Sequence, residues 1–187
     1  VSLLDVWSRQ RKSARVMLVI DVSGSMGDVA DPQTGETKLD LAKRAAIDSL
    51  DQFKPDDEVG LRIFTTGMGD GTANFVDLLP LAPMSSHGEQ MRAEIQRLYP
   101  LNGTPLYEVA VDAFSTMSAG YDPNRINAVV LLSDGMNDDG TPADDRQQLD
   151  RLLADLEAAS QGENARPLRV FPIAYGTGAD LSVLRRI

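Results

Sequence analysis

Cysteine is absent from all 187 residues, which excludes disulfides, thiol nucleophiles, Cys-based zinc sites and iron–sulfur clusters. Histidine is nearly absent too: His87 is the single one, so polyhistidine metal sites are impossible and any Ser–His chemistry has one candidate. Positive charge is scarce, with 18 Lys+Arg against 28 Asp+Glu and a formal net charge of −10. That is the wrong sign for holding a phosphate backbone, so nucleic acid is not expected as a partner. No apolar run approaches the ~20 residues of a membrane helix, so membrane insertion by this segment is not expected either. What is present is globular: 42% hydrophobic and 25% charged residues, in a length that suits one domain with a real core. Residue 1 is Val rather than Met and no signal-peptide pattern is visible, so the chain reads as an excised domain.

Two short apolar runs, Arg15–Asp21 and Ile126–Leu132, have the length and β-branched content of strands buried on both faces. Between and after them, amphipathic stretches alternate with further strands. Leu39, Ala42, Ala46, Leu50 and Phe53 fall at spacings of 3, 4, 4 and 3, one face of a helix over Lys38–Lys54. Val59–Phe64 reads as the next strand, Gly67–Thr72 as a Gly-rich loop and Asn74–Leu79 as a short, weak strand. Helices are expected over Ser86–Tyr99 and over Pro105–Ala119, with Pro105 at the first helical position and Gly120 as the C′ glycine. Thr141-Pro142-Ala143-Asp144 resembles a capping box and places a helix from there to Ser160. Leu168–Tyr175 is a strand whose Pro172 suggests a sheet edge, and Asp180–Ile187 starts a final helix. Residues 1–14, with Trp7 and the basic Arg9, Arg11 and Lys12, form a lead-in. Residues 15–187 read as one α/β domain, doubly wound, with a mostly parallel central sheet and helices on both faces.

Ligands in such sheets bind beyond the carboxyl ends of the strands, at the topological switch point. The chain is unusual at both candidate places. Asp21, Ser23 and Ser25 follow the first strand two residues apart, where a turn eased by Gly24 can aim three oxygens at one point. Asp134 follows the other long strand in Ser133-Asp134-Gly135, and Thr104 precedes a helix in Gly103-Thr104-Pro105-Leu106. Hard divalent cations prefer oxygen ligands of this kind, and three groups from one loop are too few to hold one.

D-x-S-x-S after the first strand, a G-T-P-L threonine before a helix and S-D-G after a later strand together resemble the metal-ion-dependent adhesion site of von Willebrand factor A domains. All five positions are filled, by Asp21, Ser23, Ser25, Thr104 and Asp134, and the resemblance spans essentially the whole chain. It implies a Rossmann-like fold and a bound Mg²⁺, with Mn²⁺ or Ca²⁺ as substitutes. Residues like Ser23 and Ser25 would bind the metal directly, and the threonine and the aspartates directly or through water. It further implies a protein partner presenting Asp or Glu as the last ligand, because hydroxyls leave the ion more electrophilic than a cage of carboxylates does. The Leu39-Asp40-Leu41-Ala42-Lys43 helix and the Asp56-Asp57-Glu58-Val59 strand look most like bacterial members fused to solute-binding-like domains on the cell surface. The family also has a sixth strand and a terminal helix; the chain stops as a last helix begins, so its C-terminal end is expected to be truncated.

The implied function is a non-catalytic, extracellular or cell-surface adhesion module within a longer protein. The alternatives are a subunit domain of a cytoplasmic chelatase or AAA-ATPase-associated complex and a Mg²⁺-dependent hydrolase using Asp21. The hydrolase is disfavoured because Ser23 stands where such folds carry an acid/base aspartate and no lysine is placed for a phosphate. Gly67-Met68-Gly69-Asp70-Gly71 opens no helix and is not read as a dinucleotide loop. His87 is expected as a solvated surface residue. The acidic cluster Asp138, Asp139, Asp144 and Asp145 reads as a solvated loop with helix N-terminal charge rather than as a second cation site. Met26 and Met136 flank the presumed metal loops and are expected to line the contact face.

Overall fold

β1 (Ala14–Asp21) is apolar on both faces because it is covered on both. Its alternate residues part company: Val16, Leu18 and Ile20 join one core, Met17 and Val19 the other. The first core is closed by α1 (Lys38–Leu50), through Leu39, Ala42, Ala46 and Leu50, and by α2 (Met84–Gln96), through Met91 and Ile95. The second is closed by α3 (Leu106–Ala119), α4 (Asp145–Ser160) and the short α5 (Leu181–Leu184). β4 (Ile126–Ser133) divides in the same way, with Ala128 and Leu132 in the first core and Val129 and Leu131 in the second. This computed structural model describes residues 12–69, 73–160, 167–175, 181–185 and 187.

β2 (Glu58–Met68), β3 (Ala73–Pro83) and β5 (Arg169–Ala174) complete a five-stranded sheet in the order β3-β2-β1-β4-β5. β1 is parallel to β2 and β4, and β4 is parallel to β5; only β2 and β3 run antiparallel. The expected doubly wound, mostly parallel sheet with helices on both faces is therefore what the chain forms. Pro172, opposite Leu131, sits on an edge strand as its missing N–H requires.

Several local expectations are corrected. β3 is a full-length strand rather than a short one, because β2 runs on to Met68 and the hairpin grows with it. An extra residue of β3 is accommodated opposite Gly60, which has no Cβ to crowd the Leu81 N–H. Pro105 is the residue before α3, not its first residue. Gly120 has φ −96° and needs no left-handed turn; its bare Cα instead leaves room for the Arg15 guanidinium. α4 starts at Asp145, since the Thr141 hydroxyl donates to Asp139 at 2.6 Å instead of capping a helix. His87 is buried, not solvated, and Met26 lies fully inside the first core. Residues 1–11, with Trp7, Arg9 and Arg11, and the turn residues Gly71, Gly176 and Asp180 lie outside the described residues.

Candidate metal centre

Three loops meet above the carboxyl ends of β1 and β4, and main-chain bonds lace them together. The Leu101 N–H donates to the Val22 carbonyl at 2.7 Å and the Gly24 N–H to the Asn102 carbonyl at 2.6 Å. This draws the Thr104 loop against the Asp21–Ser25 turn. Thr104 then exchanges both backbone bonds with Asp138, at 2.7 and 2.8 Å, fixing that loop to the one after β4. Gly103 is required here: a Cβ would run into the Asp138 carbonyl oxygen and crowd Thr66.

The structure joins three of the five expected residues, Asp21, Ser23 and Ser25, in one hydrogen-bonded set with Ser133 and places Asp134 next to it in the chain. Asp21, the last residue of β1, is fully buried and accepts the Ser23 N–H at 2.8 Å on Oδ1. Its Oδ2 accepts the Ser133 hydroxyl at 2.6 Å, and Ser133 Oγ accepts the Gly135 N–H at 3.0 Å. Ser23 Oγ and Ser25 Oγ stand 3.2 Å apart. Asp134, also fully buried, follows Ser133, and Gly135 turns the chain away with φ 79°. Thr104 is buried on the adjoining loop, placed there by its backbone pairing.

Two carboxylates buried together are costly unless something positive faces them. Burial pushes the Asp21 carboxyl up to about 6; bonds from Ser133 and Ser23 pull it down, and the nearby Asp134 charge adds to the rise. Among the described residues one ammonium reaches the pair: Lys38 Nζ lies 2.9 Å from Asp134 Oδ2 and 3.4 Å from Asp28 Oδ2. Burial works against the Lys38 charge, but the contacts with Asp134 and Asp28 outweigh it and hold the ammonium above its usual range. No cation pairs with Asp21 among the described residues. A buried, all-oxygen donor set that is one positive charge short fits a hard divalent cation.

Sequence reasoning missed two residues here. Ser133 was in view within S-D-G, yet nothing in its spacing says that its hydroxyl would tie Asp21 to the β4 loop. Lys38 carried a signal: it follows the helix-capping Thr37, where the electropositive helix end disfavours a cation. On the loops that carry the site, Val29, Tyr99, Leu101 and Met136 are large apolar side chains left exposed. Met136 is exposed on the loop after β4, whereas Met26 is core and lines no surface.

The acidic cluster differs. Asp139, Asp144 and Asp145 bring ligand atoms within 4.8 Å of one another. Asp139 accepts from Thr141 and from Gln148 (2.9 Å), and Asp145 from Asn137 (2.7 Å).

A family model of the von Willebrand factor type A domain matches residues 16–137. No curated protein matches the sequence. Among solved structures, the manganese-loaded TRAP protein of Plasmodium vivax is similar over 93% of this chain and 61% of its own, at 16% identity and a TM-score of 0.64. Proximal thread matrix protein 1 of the mussel byssus, with a zinc-occupied MIDAS motif, matches over 95% of this chain and 41% of its own, at 20% identity and a TM-score of 0.61. The pilus adhesin SpaC of Lactobacillus rhamnosus GG matches over 69% of this chain and 16% of its own, at 19% identity and a TM-score of 0.55. At such identities the likeness is one of fold, and this chain spans less than two thirds of the length of each.

Proposed function

This chain belongs to the von Willebrand factor type A domain family, and from that premise we propose that it is a non-catalytic, metal-dependent protein-interaction module. Residues 15–187 constitute the domain, and Asp21, Ser23, Ser25, Thr104 and Asp134 form a complete metal-ion-dependent adhesion site. The supporting observation is the buried pair Asp21 and Asp134, short of one positive charge and surrounded by hydroxyls. Neighbours of the same fold that are manganese-loaded or carry zinc in such a motif support a divalent metal. Mg²⁺ is the ion this all-oxygen set would hold, with Mn²⁺ or Ca²⁺ in its place.

A bound divalent cation supplies a Lewis-acidic position that a partner's Asp or Glu oxygen completes. The chain's own residues prepare that contact. Ser133 and the Ser23 N–H fix both oxygens of Asp21, which makes Asp21 a held ligand rather than a free nucleophile. Ser23 and Ser25 offer neutral oxygens, so the loaded site stays electrophilic toward an acidic side chain. Val29, Tyr99, Leu101 and Met136 give the partner apolar surface around that acid. The likeness to a pilus adhesin supports a role at a bacterial cell surface, as part of a longer protein.

Calorimetric titration with Mg²⁺ tests the reading. Weak one-to-one binding is expected in the wild type and none in Ser23→Ala; equal heats in both would place the metal elsewhere. Partner capture is expected to vanish in EDTA and in partners whose acid is changed to the amide.

A further inference from the structure

Lys38 occupies the first turn of α1, directly after the capping residue Thr37. That is electrostatically the wrong end of a helix for a cation, where unpaired N–H groups already present positive charge. The capping box between Thr37 and Asp40 fixes the helix start, so the placement is built in rather than accidental. Its side chain is only 10% exposed, and it runs to Asp134 Oδ2 at 2.9 Å and Asp28 Oδ2 at 3.4 Å. A buried lysine held against local preference must be offset by what it touches, and it touches the site.

The two oxygens of Asp134 have different surroundings. Oδ2 is taken by the ammonium, while among the described residues Oδ1 receives only a long contact from the Met136 N–H at 3.4 Å. The Lys38 contact therefore leaves the other oxygen of Asp134 without a short hydrogen bond among the described residues. We propose that Lys38 is a built-in counter-cation of the metal centre. It neutralises Asp134 when no metal is bound and, by staying on Oδ2, keeps the loaded site at a net positive charge. Resting on the metal reading above, this adds a division of labour. Lys38 weakens the hold on the ion and strengthens the pull on a partner's carboxylate. Without it, two aspartates would cancel a divalent charge and leave the centre neutral toward acidic ligands. With it, and with the charge of the mostly exposed Asp28 left to solvent, one positive charge remains to be met by the partner. Lys38 is thus a charge-balancing and positioning residue, not a ligand.

The test combines Mn²⁺ calorimetry with thermal unfolding in EDTA on the wild-type chain, Lys38→Met and Lys38→Gln. Glutamine can still donate to Asp134 without carrying charge, so it serves if the methionine variant does not fold. Removing the charge is expected to tighten Mn²⁺ binding about tenfold, since a contact charge in a partly buried site is worth at least that factor. The gain is expected to persist in about 0.5 M KCl, which screens long-range charge and not contact pairs. In EDTA, Lys38→Met is expected to unfold several degrees lower, so its rise in melting temperature on adding Mn²⁺ exceeds that of the wild type. Unchanged or weaker Mn²⁺ binding in both variants, with binding intact in the wild type, overturns the counter-cation role and leaves the metal site standing. Absence of Mn²⁺ binding in wild type and variants alike overturns the metal reading and this role together.

Discussion

Two groups of aspartates stand on neighbouring loops of this molecule, and burial acts on their charges differently. Asp139, Asp144 and Asp145 crowd three carboxylates within 4.8 Å, while the centre at Asp21 and Asp134 has two. Charge count alone would favour the first. In the acidic cluster, however, local donors meet Asp139 and Asp145. Bonds from Thr141 to Asp139 outweigh its partial burial and, with Gln148, keep that carboxyl below its usual range. At Asp21 burial dominates and the carboxyl is pushed up to about 6. The cluster is only partly met by local donors, since Asp144 Oδ1 is buried without a hydrogen-bond partner among the described residues; at Asp21 both oxygens are bonded and burial still raises the carboxyl. What separates Asp21 from Asp139 is the balance between burial and local donors, not the number of acids nearby.

The widest gap between the two regions should be in metal binding itself. Asp134→Ala is expected to lose Mg²⁺ binding entirely, whereas Asp139→Ala retains it with unchanged stoichiometry. Calorimetry on the two variants side by side decides this, and a loss in Asp139→Ala would move the site to the acidic cluster.

Next in size is an opposition between function and stability at Asp21. Asp21→Asn should abolish metal binding yet raise the stability of the metal-free protein at pH 7, because a buried charge is removed. The sign follows from the raised carboxyl. Above about pH 6 the folded state bears an ionised, poorly solvated Asp21, whereas between its ordinary 3.8 and about 6 the folded state gains a proton that the unfolded state does not. The wild type is therefore penalised at high pH by about 3 kcal/mol from this group, a penalty that fades as pH falls through 6 toward 4. Urea unfolding in EDTA at several pH values should show the Asp21→Asn advantage shrinking along that range. An advantage independent of pH would mean that Asp21 is not held charged against burial. Asp139, with its lowered carboxyl, has the opposite sign: its small contribution is present at neutral pH and lost in acid.

Gly103→Ala probes the backbone that joins the regions. A Cβ there meets the Asp138 carbonyl, so the Thr104–Asp138 pairing must part. A loss of about 1–3 kcal/mol is expected, the range for forced overpacking, together with weaker Mg²⁺ binding as Thr104 shifts. The smallest effect should come from Asp139→Asn, within about 0.5 kcal/mol of wild type in unfolding free energy, as for surface substitutions generally.

Much of this was legible from residue order. The runs at Arg15–Asp21 and Ile126–Leu132 could be buried on both faces only in a sheet covered twice, and Pro172 pointed to an edge. The five oxygen-bearing residues stood at strand and helix junctions that such a sheet brings together. Where reading failed, a competing contact had intervened. Thr141 resembled a cap, but its hydroxyl found Asp139 first. Gly120 resembled a helix terminator, and its role is to admit Arg15 from β1, more than a hundred residues earlier in the chain. His87 looked exposed in a polar stretch because burial depends on what packs over a helix face. Lys38 and Ser133 were invisible as site residues for a related reason: their partners, Asp134 and Asp21, lie 96 and 112 positions away.

The loops that carry the centre are joined largely through peptide groups: Leu101 to Val22, Gly24 to Asn102, Thr104 to Asp138. Main-chain bonds of this kind are indifferent to side-chain identity. Val29, Tyr99, Leu101 and Met136 are exposed on a frame that does not depend on their side chains, so on the proposed function they can be exchanged while the proposed ion-holding end stays in place. If the proposed function holds, the same scaffold could be retuned from one acidic partner to another by changing a few rim positions, a separation of chemistry from recognition that lends itself to diversification and to directed engineering of binders.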